Sequence, residues 1–212
     1  MQVISHRGYW KAASEQNTTT AFARSFALGF GTETDVRDLN GRLVISHDMP
    51  LQPVMSLERY LMDLATFTRT GLTQAINIKS DGLASALAEK MGSCQHPWFV
   101  FDMSVPDMLQ HIRVGNPTFA RMSEYEPLPA SLVGRIKGIW LDAFEYAWYS
   151  VDTIRSLLQQ GLQVCIVSPE LHGRADHRDF WATLRPLSEE EGLILCTDLP
   201  EDAKSALALP IR

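Results

Sequence analysis

Short apolar, strand-like runs alternate with amphipathic helical segments along the whole chain. Runs of β-branched and aliphatic residues predict strands, and apolar positions at helical spacing predict helices. The predicted strands cover residues 3–5, 31–36, 74–78, 98–102, 118–121, 138–142, 163–167 and 193–197. The predicted helices cover residues 20–28, 56–64, 83–91, 106–112, 149–160 and 179–187. This alternation predicts strand–helix units and a parallel sheet.

Eight such strands in 212 residues favour a single (β/α)8 TIM-type barrel near the lower size limit of that fold. Residues 1–212 are expected to form one domain, because no low-complexity segment or long polar linker divides them. An open doubly wound sheet is the competing architecture. It is less favoured because polar residues follow the strands all along the chain rather than at one crossover.

Asn40-Gly41 separates two apolar runs and predicts a tight hairpin with a type I′ turn. The returning strand ends at His47. This hairpin is therefore expected to place His47 beside the strand that carries Glu33 and Asp35.

The composition narrows the possible partners. A net charge of −6 argues against a nucleic-acid-binding surface and against stable association with an anionic membrane. Cys94, Cys165 and Cys196 have no metal-site spacing, so free thiols are predicted, with Cys165 and Cys196 buried. The amino terminus enters a strand at once, leaving no room for a signal peptide, and a cytoplasmic location is expected.

Residues with catalytic potential concentrate in the first 48 positions. Glu33 and Asp35 lie two residues apart in a strand, so their side chains share one face. Two such carboxylates repel each other unless a cation lies between them or one is protonated. A hard divalent ion with oxygen ligands meets this requirement, and His6 and His47 could then transfer protons.

These residues resemble the motifs of the glycerophosphodiester phosphodiesterase family. The resemblance rests on His6-Arg7-Gly8, Asn17-Thr18 with Ala21-Phe22, Glu33-Thr34-Asp35-Val36, Gly41-Arg42-Leu43-Val44, His47-Asp48, Ile78-Lys79 and Thr197-Asp198-Leu199-Pro200. It implies a TIM-type barrel, with a place in lipid metabolism, that hydrolyses phosphodiesters with bound Mg²⁺ or Ca²⁺. It also implies that His6 and His47 are the acid–base pair, that Glu33 and Asp35 bind the metal and that Arg7 binds phosphate.

Three positions depart from the family pattern. The family glutamate two residues before the lysine is Asn77 here, so the third metal ligand is an amide oxygen unless Asp102 supplies it. The glutamate of the Glu-Asn-Thr motif is Gln16. The segment after His47, where the family typically carries an insertion, is short.

The remaining candidates have competing structural interpretations. Lys79 is predicted to be catalytic and to bind phosphate, and the alternative is an ion pair with Asp81 or Glu33. Arg7 could instead pair with Asp35 or Asp198. Asp48 is interpreted as a structural partner of its loop. Five residues near later strand ends are predicted to bind substrate: Arg121, Trp140, Asp142, His172 and Arg174.

The sequence therefore predicts a metal-dependent phosphodiesterase acting on a small organic phosphodiester. Either water or a neighbouring substrate hydroxyl could be the nucleophile. Two alternatives remain at this stage: a catalytically weak or silent barrel that binds a phosphorylated metabolite, and a sugar-phosphate isomerase or lyase. The oligomeric state is left open.

Overall fold

The computed structural model describes residues 1–209. The strands are β1 (Gln2–His6), β2 (Gly31–Leu39), β3 (Arg42–Ile45), β4 (Gln74–Ile78), β5 (Trp98–Phe101), β6 (Phe119–Met122), β7 (Gly138–Leu141), β8 (Gln163–Val167) and β9 (Leu193–Thr197). The α-helices are α1 (Thr19–Ala27), α2 (Leu57–Ala65), α3 (Ala84–Met91), α4 (Val105–Arg113), α5 (Val151–Gln159), α6 (His177–Leu184) and α7 (Pro200–Ala206). Parallel strands alternate with helices, and β3 alone among the described strands is an antiparallel addition. The predicted (β/α)8 TIM-type barrel is confirmed as the fold class.

The described chain divides into two compact units. One unit is His6–Thr118, and the other joins Met1–Ser5 to the chain from Phe119 onward. The expectation of one domain over residues 1–212 stays a prediction, and residues 210–212 lie outside the described part.

The unit His6–Thr118 contains the segment richest in polar motifs. Strand β2 pairs in parallel with β4, which pairs in parallel with β5. Helices α1 and α2 pack beside these strands through an aromatic cluster, in which the Phe22 and Tyr60 rings lie 4.8 Å apart. Phe22, Phe26 and Tyr60 are all buried. The cluster fixes the helices on the sheet, so that the polar ends of the strands have a rigid support.

The second unit is a run of parallel strands in the order β1, β9, β8, β7, β6. The largest fully buried side chain of the described chain, Trp181 on α6, belongs to this unit. Its indole Nε1 donates a hydrogen bond of 2.8 Å to Ser168 Oγ, which satisfies the one polar group of the ring.

The predicted hairpin is confirmed. Leu39 and Arg42 pair across the turn between β2 and β3. Asn40 and Gly41 have φ angles of 50° and 75°, the two positive values that a type I′ turn requires.

The predicted elements differ from the observed ones at a few boundaries. The predicted helix 179–187 ends earlier, at Leu184, because the Pro186 ring cannot continue an α-helix and a 3-10 turn follows. Helix α7 was not predicted, since seven residues give too few turns for a clear period. Between β6 and β7 the chain forms only a short 3-10 turn, Ala130–Leu132.

The structure also bears on the cysteines and on membrane-spanning segments. None of the three cysteines forms a disulfide, and Cys165 and Cys196 are buried, as predicted. Across residues 1–209, no helix combines the length and the apolar character needed to cross a membrane.

Candidate active site

The candidate site is built on the carboxylates of β2. Glu33 and Asp35 are both fully buried, with 1% and 0% of their surface exposed. Strand β4 runs beside β2 with Asn77 in register with Asp35. Neighbouring residues of a parallel pair point to the same face. Asn77 therefore adds an amide group to the face that carries the two acids.

The turn after β1 brings a cation to these acids. Arg7 adopts a left-handed backbone conformation with φ of 54°, and Gly8 follows with φ of 79°. A side chain at Gly8 would meet Ala21 Cβ at 2.7 Å, so the close approach of α1 requires glycine there. The Arg7 amide donates to Glu33 Oε2 at 3.1 Å, and the Gly8 amide donates to Thr32 Oγ1 at 2.9 Å. Both bonds attach the turn to β2.

Glu33 lies in an unusual electrostatic position. Burial, together with the nearby charge of Asp35, raises the pKa of its carboxyl to about 7. His6, Arg7 and Lys79 oppose this rise. His6 Nε2 lies 3.9 Å from Glu33 Oε2. Near neutral pH the group is therefore poised between its two protonation states, and a further cation would favour the carboxylate.

Raising the pH from about 5 to about 8 is expected to lower the thermal stability of the metal-free protein. Glu33 in the unfolded chain loses its proton near its ordinary pKa of 4.5, whereas the folded group keeps it to about 7. Across this window the unfolded state binds fewer protons, so rising pH favours unfolding, and the penalty is complete above about pH 7.

The check is the melting temperature as a function of pH. Glu33→Gln cannot ionise and should flatten the curve, whereas Glu89→Gln, an exposed control on α3, should leave its slope in place. An unchanged slope in Glu33→Gln would show that this carboxyl does not titrate in the window.

Asp35 is held by two cations and an amide. Arg7 Nε lies 2.9 Å from its Oδ2, and Lys79 Nζ lies 3.4 Å from its Oδ1. Asn17 Nδ2 donates to Oδ2 at 2.8 Å. Lys79 Nζ is also 3.6 Å from Asp102. Arg7 therefore forms the ion pair with Asp35 that was its alternative interpretation. The ion-pair partners of Lys79 are Asp35 and Asp102, whereas Asp81 or Glu33 was predicted as the alternative.

The oxygen atoms of the site fit a hard divalent cation. Within residues 1–209, Asp35 Oδ1 and Asn77 Oδ1 are buried side-chain oxygens that accept no hydrogen bond. Buried polar atoms are normally partnered, and Asp35 Oδ1 has the charge of Lys79 Nζ at 3.4 Å but no hydrogen bond, so both oxygens keep the capacity to bind a cation. The described residues contain no cluster of three His, Cys, Asp or Glu side chains suited to a metal. An ion here would accordingly take Glu33, Asp35 and the Asn77 amide.

His47 follows the hairpin, as the Asn40-Gly41 turn predicted. The Ser46 amide donates to the Asp35 carbonyl oxygen at 3.0 Å, so the returning chain runs beside β2 up to His47. His47 Nδ1 lies 2.8 Å from Asp48 Oδ1, and this bond lowers the pKa of Asp48. A carboxylate only accepts, so Nδ1 donates the proton in this pair, and Nε2 is the acceptor nitrogen of that tautomer.

Arg7, Asn17 and His47 line one open cavity of about 550 Å³. The same cavity is bounded by the segment after His47, through Val54 and Met55. The structure thereby places an arginine, an amide and a histidine with an available nitrogen around one space large enough for a small ligand.

The predicted substrate-binding residues of the second unit fall into two groups. His172 Nε2 lies 2.6 Å from Asp142 Oδ1, and Arg174 donates to the Ala143 carbonyl at 3.0 Å, so three of the five form one cluster. Arg121 is paired with Glu126 at 2.5 Å, and the Trp140 side chain is buried. Their role in binding substrate stays a prediction.

Asn17 was given no site role from sequence. Its amide donates to Asp35 and accepts from the Thr34 hydroxyl at 2.8 Å, which fixes the orientation of the group. Its φ is 58°, and Asp102 has a φ of 71°. Non-glycine residues in this region are uncommon and concentrate at functional sites. The signal available in the sequence was its place in the Gln16-Asn17-Thr18 motif that carries part of the family resemblance.

Comparison with solved structures identifies proteins that share this fold. A glycerophosphodiester phosphodiesterase from Parabacteroides distasonis has a TM-score of 0.67 at 18% identity, over 98% of this chain and 96% of that one. An Oleispira antarctica phosphodiesterase in complex with the product sn-glycerol-3-phosphate has a TM-score of 0.70 at 15% identity, over 98% and 97%.

A third relative is a Ca²⁺-dependent phosphatidylinositol-specific phospholipase C from Streptomyces antibioticus, with a TM-score of 0.64 at 12% identity over 96% of each chain. No protein-family model matches the sequence, and no curated protein sequence matches it. The resemblance to glycerophosphodiester phosphodiesterases is confirmed at the level of the fold.

Proposed function

We propose that this chain is a metal-dependent phosphodiesterase that hydrolyses a small organic phosphodiester of the glycerophosphodiester type. The observation that carries the proposal is the group of buried oxygens on β2 and β4, beside Arg7 and Lys79 and near a histidine with an available nitrogen. The relative with bound sn-glycerol-3-phosphate supports the substrate class.

The residues that would hold the metal are Glu33, Asp35 and Asn77. Mg²⁺ or Ca²⁺ bound there would act as a Lewis acid toward the nonbridging phosphate oxygens. The protein contributes the buried acids and the cations that keep them oriented before the ion arrives.

Arg7 and Lys79 would neutralise the phosphate. Arg7 engages Asp35 through Nε and donates a long hydrogen bond of 3.5 Å from Nη1 to Gln16 Oε1, and its planar guanidinium lines the cavity where a phosphate would bind. Lys79 lies between Asp35 and Asp102 and supplies a point charge at the end of β4. Both cations are already fixed by carboxylates, so little side-chain freedom is lost when a phosphate binds.

His47 and His6 would transfer the protons. We assign the base to His47, because its Nδ1 proton is held by Asp48 and its Nε2 can accept. His6 is then the acid that protonates the leaving alkoxide. With water as nucleophile, a P–O bond to the water oxygen forms, the P–O bond to the leaving alcohol breaks, and one water is consumed. A neighbouring substrate hydroxyl in the same role would give a cyclic phosphate instead.

The deciding experiment is a panel of phosphodiesters assayed with Mg²⁺, Ca²⁺ and Mn²⁺. We expect turnover of at least one glycerophosphodiester, dependent on an added divalent ion and abolished by chelation. Metal-independent turnover would contradict the metal assignment, and no turnover of any diester would contradict the enzyme proposal.

A second candidate function is a silent barrel that binds a phosphorylated metabolite, and Asn77 favours it because the third ligand lacks a charge. This alternative predicts that calorimetry detects binding of glycerol phosphate and that no diester is hydrolysed. The Asp48-oriented His47 argues for the enzyme, since a binding module does not require an oriented proton acceptor.

Asn77→Glu is expected to tighten divalent-ion binding by at least about tenfold, because it adds a charged oxygen ligand to a site with two. Asn77→Gln lengthens the side chain without adding charge and is the matched control. Calorimetric titration with Mg²⁺ and Ca²⁺ measures both. Equal metal affinity in the wild type and both variants would show that Asn77 is not the third metal ligand, and Asp102 would then be the next candidate.

A further inference from the structure

Three large apolar side chains are exposed within six residues of the chain, directly after the His47-Asp48 pair. Met49, Leu51 and Val54 expose 62%, 92% and 37% of their surface. Single exposed apolar residues are ordinary on a protein surface, but a local group beside a polar site indicates contact with an apolar ligand. Residues 49–54, which we call the apolar loop, therefore require an explanation.

The apolar loop projects from a fixed base. The Ile45 amide donates to the Met55 carbonyl at 2.8 Å, and a β-bridge joins Val44 to Ser56. Ser46 Oγ donates to the Asp48 carbonyl at 2.7 Å. These bonds close the loop at its neck, where the chain leaves directly after His47 and returns at Met55.

The cavity that contains Arg7 and His47 continues to this loop. Pro53, Val54 and Met55 form part of its wall, together with the arginine and the histidine. A ligand in the cavity would thus meet a cation, an imidazole and the apolar side chains of Val54 and Met55, while Met49 and Leu51 are exposed in the same loop outside the lining. A phosphate with a hydrocarbon substituent has this distribution of charge and apolar surface.

Building on the proposed function, we propose that the apolar loop binds the hydrocarbon chain of an amphiphilic substrate, a glycerophosphodiester that carries a single acyl or alkyl chain. The phosphodiester would lie by Arg7 and His47, with the chain passing Val54 and extending over Leu51. A single dissolved amphiphile fits better than an anionic bilayer, because the patch is only three side chains wide and the protein has a net charge of −6.

The test compares two substrates with the same phosphodiester: one with a dodecanoyl chain, used below its critical micelle concentration, and its deacylated counterpart. The readout is the ratio of the two kcat/KM values in the metal-loaded full chain. Each methylene buried contributes roughly fourfold to binding. We expect the ratio to favour the acylated substrate and to fall about tenfold in the double variant Met49→Ser/Leu51→Ser. Val105→Ser, with 56% exposure at the start of α4, is the matched control and should leave the ratio unchanged.

The outcomes separate the inference from the proposed function. Turnover of both substrates with a ratio that the loop variant does not change would overturn the inference and leave the phosphodiesterase intact. Turnover of neither would overturn both. If sedimentation shows a wild-type dimer that the loop variant dissociates, with the ratio unchanged, the loop covers a second copy of the chain and the inference is wrong.

Discussion

Replacing Asp35 by Asn is expected to lower turnover by at least about 10³-fold, the scale on which a Lewis acid stabilises a phosphoryl transition state. The variant also loses a charged metal ligand, and it leaves Arg7 and Lys79 beside a neutral amide. Glu33→Gln should have an effect of similar size on turnover, because it removes the other carboxylate of the pair. Calorimetric titration with Mg²⁺ and Ca²⁺ and kcat on a glycerophosphodiester measure the two consequences separately.

The matched control is Asp38→Asn. Asp38 lies on the same strand but is exposed, and it accepts a hydrogen bond of 2.8 Å from the Ser80 hydroxyl. The Asp38→Asn variant should retain the metal affinity and the turnover of the wild type. Melting curves distinguish a lost site from a lost fold, because the two cations left near position 35 also reduce stability. Unchanged metal affinity in both Glu33→Gln and Asp35→Asn would remove the metal assignment.

Local patterns predicted the strands and the hairpin because their causes lie within a few residues. The Asn40-Gly41 turn fixes its own backbone and sets the return of the chain to His47. The two-residue spacing places Glu33 and Asp35 on one face whatever surrounds them. The seven-residue α7 lacks such a local cause, because a helix of this length depends on tertiary packing and is too short to show a clear period.

The contacts that define the site could not be predicted from sequence, because they join distant positions. Asn17, with a left-handed backbone, bonds to Asp35 eighteen residues away, and Lys79 pairs with Asp102 twenty-three residues away. The raised pKa of Glu33 depends on burial, which the sequence does not specify residue by residue. The apolar wall of the cavity likewise depends on how the loop after His47 closes.

His6→Ala and His47→Ala are each expected to lower turnover of alkyl phosphodiesters by about 10²–10⁴-fold, the usual contribution of a positioned proton-transfer group. Metal affinity and melting temperature should change far less than in the Asp35 variant, because neither histidine is assigned as a ligand. His96→Ala is the control for loss of an imidazole elsewhere in the same unit.

A leaving group that needs no proton separates the two roles. A diester with a nitrophenyl leaving group departs as a stable phenolate, so the general acid is dispensable for it. His6→Ala should therefore approach wild-type turnover on this substrate, whereas His47→Ala should stay impaired because the nucleophile still has to lose a proton. The opposite pattern would exchange the two assignments. Near-normal turnover of alkyl diesters by both variants would rule out the acid–base mechanism, because proton transfer would then not depend on either imidazole.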